Sequence, residues 1–132
     1  MKKLLFIVLP IFLIISCGKV EDGIKTDFYE NGTKKYEIHL QNGLQNGSFK
    51  MWYQDGQKKL DGFFKNGEYD GTWKYYYLSG STRIQLNYKN SNLNGDYKWW
   101  YENGLKKMEG TYKKGKKDGL FTEWNEDGSV ME

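Results

Sequence analysis

The sequence predicts an all-β domain, an antiparallel hairpin meander of about four and a half 24-residue repeats, following an N-terminal export segment. Three observations predict it. Gly32, Gly56, Gly80, Gly104 and Gly128 are each 24 residues apart. Beyond Cys17 the chain is rich in Tyr, Trp, Phe, Gly, Asn and Asp, a composition of short strands and tight turns. The 132 residues contain no alanine, the single proline is Pro10, and all 16 glycines lie at or beyond Gly18, which argues against helices.

The first element is an address. Met1-Lys2-Lys3 is a basic start, and Leu4 to Ile15 is apolar apart from Pro10. That run reaches roughly 18 Å as a helix, short of the ~20 residues a bilayer span needs. With the small residues that follow, residues 1–16 read as a secretory signal peptide. Ile14-Ile15-Ser16-Cys17-Gly18 resembles the bacterial lipobox, with cleavage between Ser16 and Cys17. The resemblance implies a thioether-linked diacylglycerol on Cys17, and two or more acyl chains anchor a domain stably. The covalent lipid is the only prosthetic group expected. Cys17 is the only cysteine, so no internal disulfide can form. The polar stretch after it makes residues 17–27 the lipidated cysteine and a flexible tether. Gly18 replaces the aspartate that in enteric-type lipoproteins retains the protein at the inner membrane. By that resemblance the protein is lipid-anchored outside the cytoplasm, at the outer membrane of a two-membrane host and otherwise at the plasma membrane.

Residues 28–132 are the repeat domain. Gly47, Gly71, Gly95 and Gly119 form a second series, and Gly43, Gly67 and Gly115 a third that is interrupted by Ser91. Phe28, Trp52, Tyr76, Trp100 and Trp124 keep the same register, as do Phe49, Trp73, Tyr97 and Phe121. Each unit has two turns. The first is Asn31-Gly32 and its equivalents, the dipeptide of a hairpin turn with positive φ at both central residues. The second spans Asn42 to Gly47 and its equivalents. Between them lie a strand of about six residues, such as Ser48–Tyr53, and one of about eight, such as Lys58–Lys65, giving roughly nine strands.

Alternation assigns the faces. Phe49, Met51 and Tyr53 share one side with Leu60 and Phe64, and the same positions recur in later repeats. The opposite side carries Lys59, Asp61 and Lys65, and beside Lys50, Lys74 and Lys98 it carries Trp52, Tyr76, Trp100 and Trp124. One repeat alone buries too little, so stability must come from stacking repeats. Glu126, Asp127 and Glu132 in the last half-unit are suited to blunting a sheet edge.

The unit, seen most clearly in Trp100-Tyr101-Glu102-Asn103-Gly104 and in Tyr112-Lys113-Lys114-Gly115-Lys116-Lys117-Asp118-Gly119, resembles the MORN repeat in its 24-residue bacterial variant. The resemblance covers roughly residues 28–132 and implies an elongated hairpin sheet serving in protein interaction, membrane association or spacing. Proteins of this kind often bear the label YwqK-type antitoxin, and an export signal would direct such a role to immunity against an envelope-acting toxin. The family has no shared catalytic residues to carry over. The third repeat, Leu78-Ser79-Gly80-Ser81-Thr82-Arg83, lacks both the Asn-Gly and the Lys-Lys pairs.

Catalytic and metal chemistry find no footing. His39 is the only histidine, and no phosphate loop, zinc spacing or nucleophile motif is present. Asp61 and Glu109 are explained by repetition as solvated face residues. The repeats take up the whole mature chain, so no enzyme activity, metal or cofactor is expected. The formal charge of +3 falls to +1 once Lys2 and Lys3 leave with the signal peptide, which gives no support to nucleic-acid binding. The expectation is therefore a non-catalytic bacterial envelope lipoprotein, bound to the membrane by its lipid, whose repeats engage a protein partner. A second reading makes Trp52, Tyr76, Trp100 and Trp124 a glycan- or cell-wall-binding row at about 9.5 Å intervals. A third packs that row under the lysine stems or makes it a second small core.

Overall fold

The computed structural model describes residues 22–131. The expected signal peptide and its cleavage and lipidation residues, Ser16 and Cys17, lie outside them. Nine strands form one antiparallel sheet in chain order: β1 (Gly23–Phe28), β2 (Lys34–Gln41), β3 (Leu44–Trp52), β4 (Lys58–Lys65), β5 (Glu68–Tyr76), β6 (Thr82–Lys89), β7 (Asn92–Trp100), β8 (Lys106–Lys113) and β9 (Lys116–Glu123). Among the described residues no helix is long and apolar enough to cross a membrane.

Two expectations are corrected. The tether does not run to residue 27, because Gly23–Phe28 is β1, paired with β2 from Gly23↔Leu40 to Phe28↔Lys34. Six residues with Lys25 and Asp27 on one face carry too weak an apolar signal to read as a strand. The turns also exchange characters. Asn31-Gly32 belongs to a five-residue loop in which the Gly32 N–H donates to the Tyr29 carbonyl (2.9 Å) and the Tyr29 N–H to the Thr33 carbonyl (2.8 Å). Only the glycine has positive φ there (83°), as in a type I turn closed by a glycine bulge. The turn with positive φ at both central residues is instead Asn42-Gly43 (52° and 72°), which joins the pair Gln41↔Leu44 directly. The longer loop predicted for Asn42–Gly47 is thus two residues, and Gly47 lies within β3 at a bulge opposite His39.

The five-residue loop inserts one residue into each following strand. Met51 pairs with Leu60 and Trp52 with Lys58, so Lys59 is extra; Lys35, Arg83 and Lys107 occupy the same place. Side-chain oxygens hold the loops: Asn31, Asp55, Asn103 and Asp127 each accept the backbone N–H two residues on, at 2.8–3.1 Å.

The apolar face is as the alternation predicts. Ile38, Phe49, Leu60, Phe64, Trp73, Ile84, Leu86 and Tyr97 are buried on it. Trp73 is 1% exposed, with Tyr69 at 4.5 Å and Phe64 at 5.0 Å between ring centroids. Among the described residues no second layer covers the sheet, so neighbouring repeats supply this burial. The edge strands depart from the pattern. Where interior strands carry Met51, Tyr75 and Trp99, β1 has Asp27 and β9 has Glu123, charges that disfavour pairing beyond the edge. At the C-terminal end, Trp124 bridges Val130 and the Met131 N–H donates to the Glu123 carbonyl (2.9 Å), so the last residues cover part of β9.

Candidate functional site

A surface, not a cavity, is the candidate site. Trp52, Tyr76, Trp100 and Trp124 do form one row at the ends of β3, β5 and β7 and just after β9. Their covering lysines come from the preceding long strand instead of Lys50, Lys74 and Lys98. Lys34 Nζ lies 5.6 Å from the Trp52 ring centroid, Lys58 5.6 Å from Tyr76 and Lys106 5.7 Å from Trp124. Each of these ammonium groups also binds a carboxylate three residues on: Glu37 at 2.9 Å, Asp61 at 2.9 Å and Glu109 at 2.6 Å.

Two groups in this row shift as a result. The Lys34 hydrogen bond holds Glu37 below its ordinary range. Burial, reinforced by a 3.0 Å hydrogen bond to Asp61, pushes Tyr76 up to about 12. At Trp100 the equivalent residues are Thr82 and Gln85, so no lysine covers that ring by this route. The row is therefore largely engaged by the protein's own lysine stems.

A second row was not legible in the sequence. The residues inserted by the bulges each lie over the tyrosine of their own hairpin: Lys35 over Tyr29 (5.9 Å), Lys59 over Tyr53 (5.4 Å), Arg83 over Tyr77 (5.8 Å) and Lys107 over Tyr101 (5.1 Å). Strict alternation places Lys59 beside Asp61 on the polar face, but the bulge turns it toward Tyr53. Each tyrosine hydroxyl in turn donates to a backbone carbonyl 23 residues on: Tyr29 to Trp52 (2.9 Å), Tyr53 to Tyr76 (2.8 Å), Tyr77 to Trp100 (2.7 Å) and Tyr101 to Trp124 (2.9 Å). The candidate aromatics thus also serve, through their carbonyls, as the repeat-to-repeat latch. The Tyr-x-Asn-Gly spacing is the signal that could have located it.

His39 is half-buried, with Nδ1 2.9 Å from Ser48 Oγ. Asp61 and Glu109, the recurring carboxylates, belong to separate ion pairs. Among the described residues no group of three or more His, Cys, Asp or Glu side chains is placed to hold a metal. A shallow cleft of ≈230 Å³ between β7 and β9 is lined by Asp96, Lys98, Glu109, Thr111 and Leu120, among others.

The family model described as "MORN repeat variant" matches residues 21–42, 45–66, 69–90 and 93–114. Each matched segment takes in one hairpin closed by a five-residue loop: β1–β2, β3–β4, β5–β6 and β7–β8. Comparison with curated proteins gives no significant match.

Proposed function

Because the chain belongs to the MORN repeat variant family, we propose that it is a non-catalytic, lipid-anchored protein of the bacterial envelope whose repeats hold a protein partner, in an antitoxin- or immunity-type role. The observation that carries this reading is the latched, periodic sheet. Tyrosine hydroxyl bonds recur every repeat and tie successive hairpins in the same way, so equivalent side chains are presented in periodic rows. Such a surface suits an extended contact with another chain. The Ser16-Cys17 motif supplies the anchor, and export confines the partner to the envelope. The packing of Trp52, Tyr76 and Trp124 under lysines leaves these rings less free to stack on sugars, which favours a protein over a glycan partner.

The test is affinity capture by the full-length protein from detergent-solubilised envelope, set against retention on purified cell-wall glycan. One stoichiometric protein partner, captured from the membrane fraction and lost on deletion of residues 54–77, is expected. Retention on glycan with no protein captured would overturn the reading. Acyl labelling tests the anchor separately: Cys17→Ala abolishes labelling and releases the protein from membranes, and unchanged labelling rejects the lipoprotein assignment.

A further inference from the structure

Resting on the protein-partner reading, we infer that Lys59, Arg83 and Lys107 form a docking row for an extended acidic segment of that partner, one with a carboxylate at every third residue. These cations occupy equivalent bulge positions in three successive hairpins. Each rests over a tyrosine ring whose hydroxyl is fixed to the next repeat, so the charges sit on a rigid base.

Charge balance separates this row from the cations of the polar face, where Lys50 lies in register between Glu37 and Asp61, Lys74 opposite Asp61 and Lys98 opposite Glu109. On the polar face, Lys34, Lys58 and Lys106 each have a carboxylate at 2.6–2.9 Å. Lys35, the first member of the bulge column, has Asp27 at 3.7 Å. Among the described residues Lys59, Arg83 and Lys107 make no ion pair. The reason is in the repeat: the position that supplies Asp27 to Lys35 holds Met51, Tyr75 and Trp99 in the next three hairpins. Glu123, opposite Met108 on β9, is the acid that adjoins the row, and it does not pair with Lys107. Three uncompensated cations on one line call for an anionic partner.

The spacing selects its form. Successive cations are two strands apart, about 9.5 Å at ~4.7–4.9 Å per strand, and three residues of polyproline II chain, one full turn at ~3.1 Å per residue, cover about the same distance and bring the side chain back to the same side. Carboxylates at i, i+3 and i+6 therefore meet all three cations, whereas adjacent carboxylates meet one or two. Lys107 Nζ also lies 4.1 Å from the centroid of Trp99, whose buried Nε1 has no hydrogen-bond partner. Withdrawal of Lys107 toward a carboxylate changes the surroundings of Trp99 and gives an intrinsic fluorescence signal.

The experiment titrates full-length protein in neutral detergent with two labelled peptides of identical composition. One has three glutamates spaced three residues apart, and the other has them adjacent. Anisotropy should show the spaced peptide binding at least about fivefold more tightly, a modest sum of exposed charge contacts. The ratio should fall to about one in Lys59→Gln/Arg83→Gln/Lys107→Gln and survive in Lys34→Gln/Lys58→Gln/Lys106→Gln. Lys59→Arg/Lys107→Arg should keep it, and near-UV circular dichroism checks that each variant is folded. Equal affinities, or a ratio that survives the first triple variant, would overturn the row. Stronger binding of phosphatidylglycerol vesicles through the same three residues would also overturn it, in favour of a lipid surface. If the captured envelope protein still binds that triple variant, the row is wrong while the protein-partner reading stands. If peptide selectivity holds and no envelope protein is captured, the row stands and the reading of the whole protein fails.

Discussion

The indole of Trp73 occupies the space where a side chain at Gly62 would lie: a Cβ there would sit 2.3 Å from Trp73 Cδ2. Gly110 and Phe121 repeat the relationship two hairpins later, at 2.6 Å. Residues 38, 62, 86 and 110 are one column, and they read Ile, Gly, Leu, Gly. Large and absent side chains alternate, so the aromatic column beside them fits without a second layer.

Gly62→Ala should therefore destabilise the domain by overpacking, by about 1–3 kcal/mol in a urea titration. Residue 62 does not need positive φ, so the cost is steric. Gly71 is the contrast. A Cβ there meets open space, but φ is +67°, and Gly71→Ala should cost about 1–2 kcal/mol through the backbone alone. Trp73→Phe should offset part of the Gly62→Ala loss and none of the Gly71→Ala loss; equal behaviour of both pairs would refute the distinction.

Tyr53→Phe removes the latch between the second and third hairpins and strands the Tyr76 carbonyl that accepted it. The expected loss is about 0.5–1.5 kcal/mol with the fold retained. Tyr77→Phe and Tyr101→Phe should cost similar amounts, since their bonds are 2.7 and 2.9 Å. A near-zero loss in all three would show that these hydroxyls exchange freely with water.

Deletion of residues 54–77 joins Tyr53 to Leu78, which lies one repeat beyond Gln54 and so preserves the register of every column. The shortened protein should fold cooperatively with a lower midpoint, because one set of inter-repeat contacts is lost. Deleting 20 residues from the same point breaks the 24-residue period and moves apolar side chains to the wrong columns, so it should not fold. Equal tolerance of the two deletions would contradict the repeat architecture.

The fold was readable because period and alternation are global signals. A glycine series spaced by 24 residues and the Phe49/Trp73/Tyr97/Phe121 column survive any error in a single turn. What escaped was local. Asn-Gly suits both kinds of hairpin turn, and the choice rests on whether the Tyr29 N–H is satisfied within the loop by the Thr33 carbonyl, as it is. From that choice follow the bulge at Lys59 and the cation row, since one extra residue redirects a side chain that strict alternation assigns to the other face. The polar-face aromatics lie at equivalent strand ends, as the period predicts, but their covering lysines sit one strand away from the ones alternation suggests. Strand β1 is not legible in the sequence because this edge strand has Lys25 where interior strands have Phe49 or Trp73.

Alkaline titration tests the packing of the tyrosines. Burial pushes Tyr97 up to about 12 and Tyr75 higher still, and burial with the Asp61 hydrogen bond puts Tyr76 near 12, against an ordinary 10.0. Tyr69, Tyr88 and Tyr112 shift in the same direction through burial. Each folded-state value lies above the unfolded one, so the neutral hydroxyl is the form the fold favours. Below pH 10 this contribution is fully present, because both states are protonated. Between about 10 and 12 the unfolded chain releases protons that the folded chain retains, and stability falls by up to ~1.4 kcal/mol per pH unit for each such group. Urea midpoints should thus be insensitive to these groups from pH 7 to 9 and drop steeply above 10, with tyrosinate absorbance near 295 nm rising together with unfolding. Tyr76→Phe should make the drop shallower, since it removes one of the groups responsible. Free titration of all the tyrosines near pH 10 in the folded protein, with no loss of stability, would mean that the aromatic face is wet and that the packing around Trp73 does not exclude solvent.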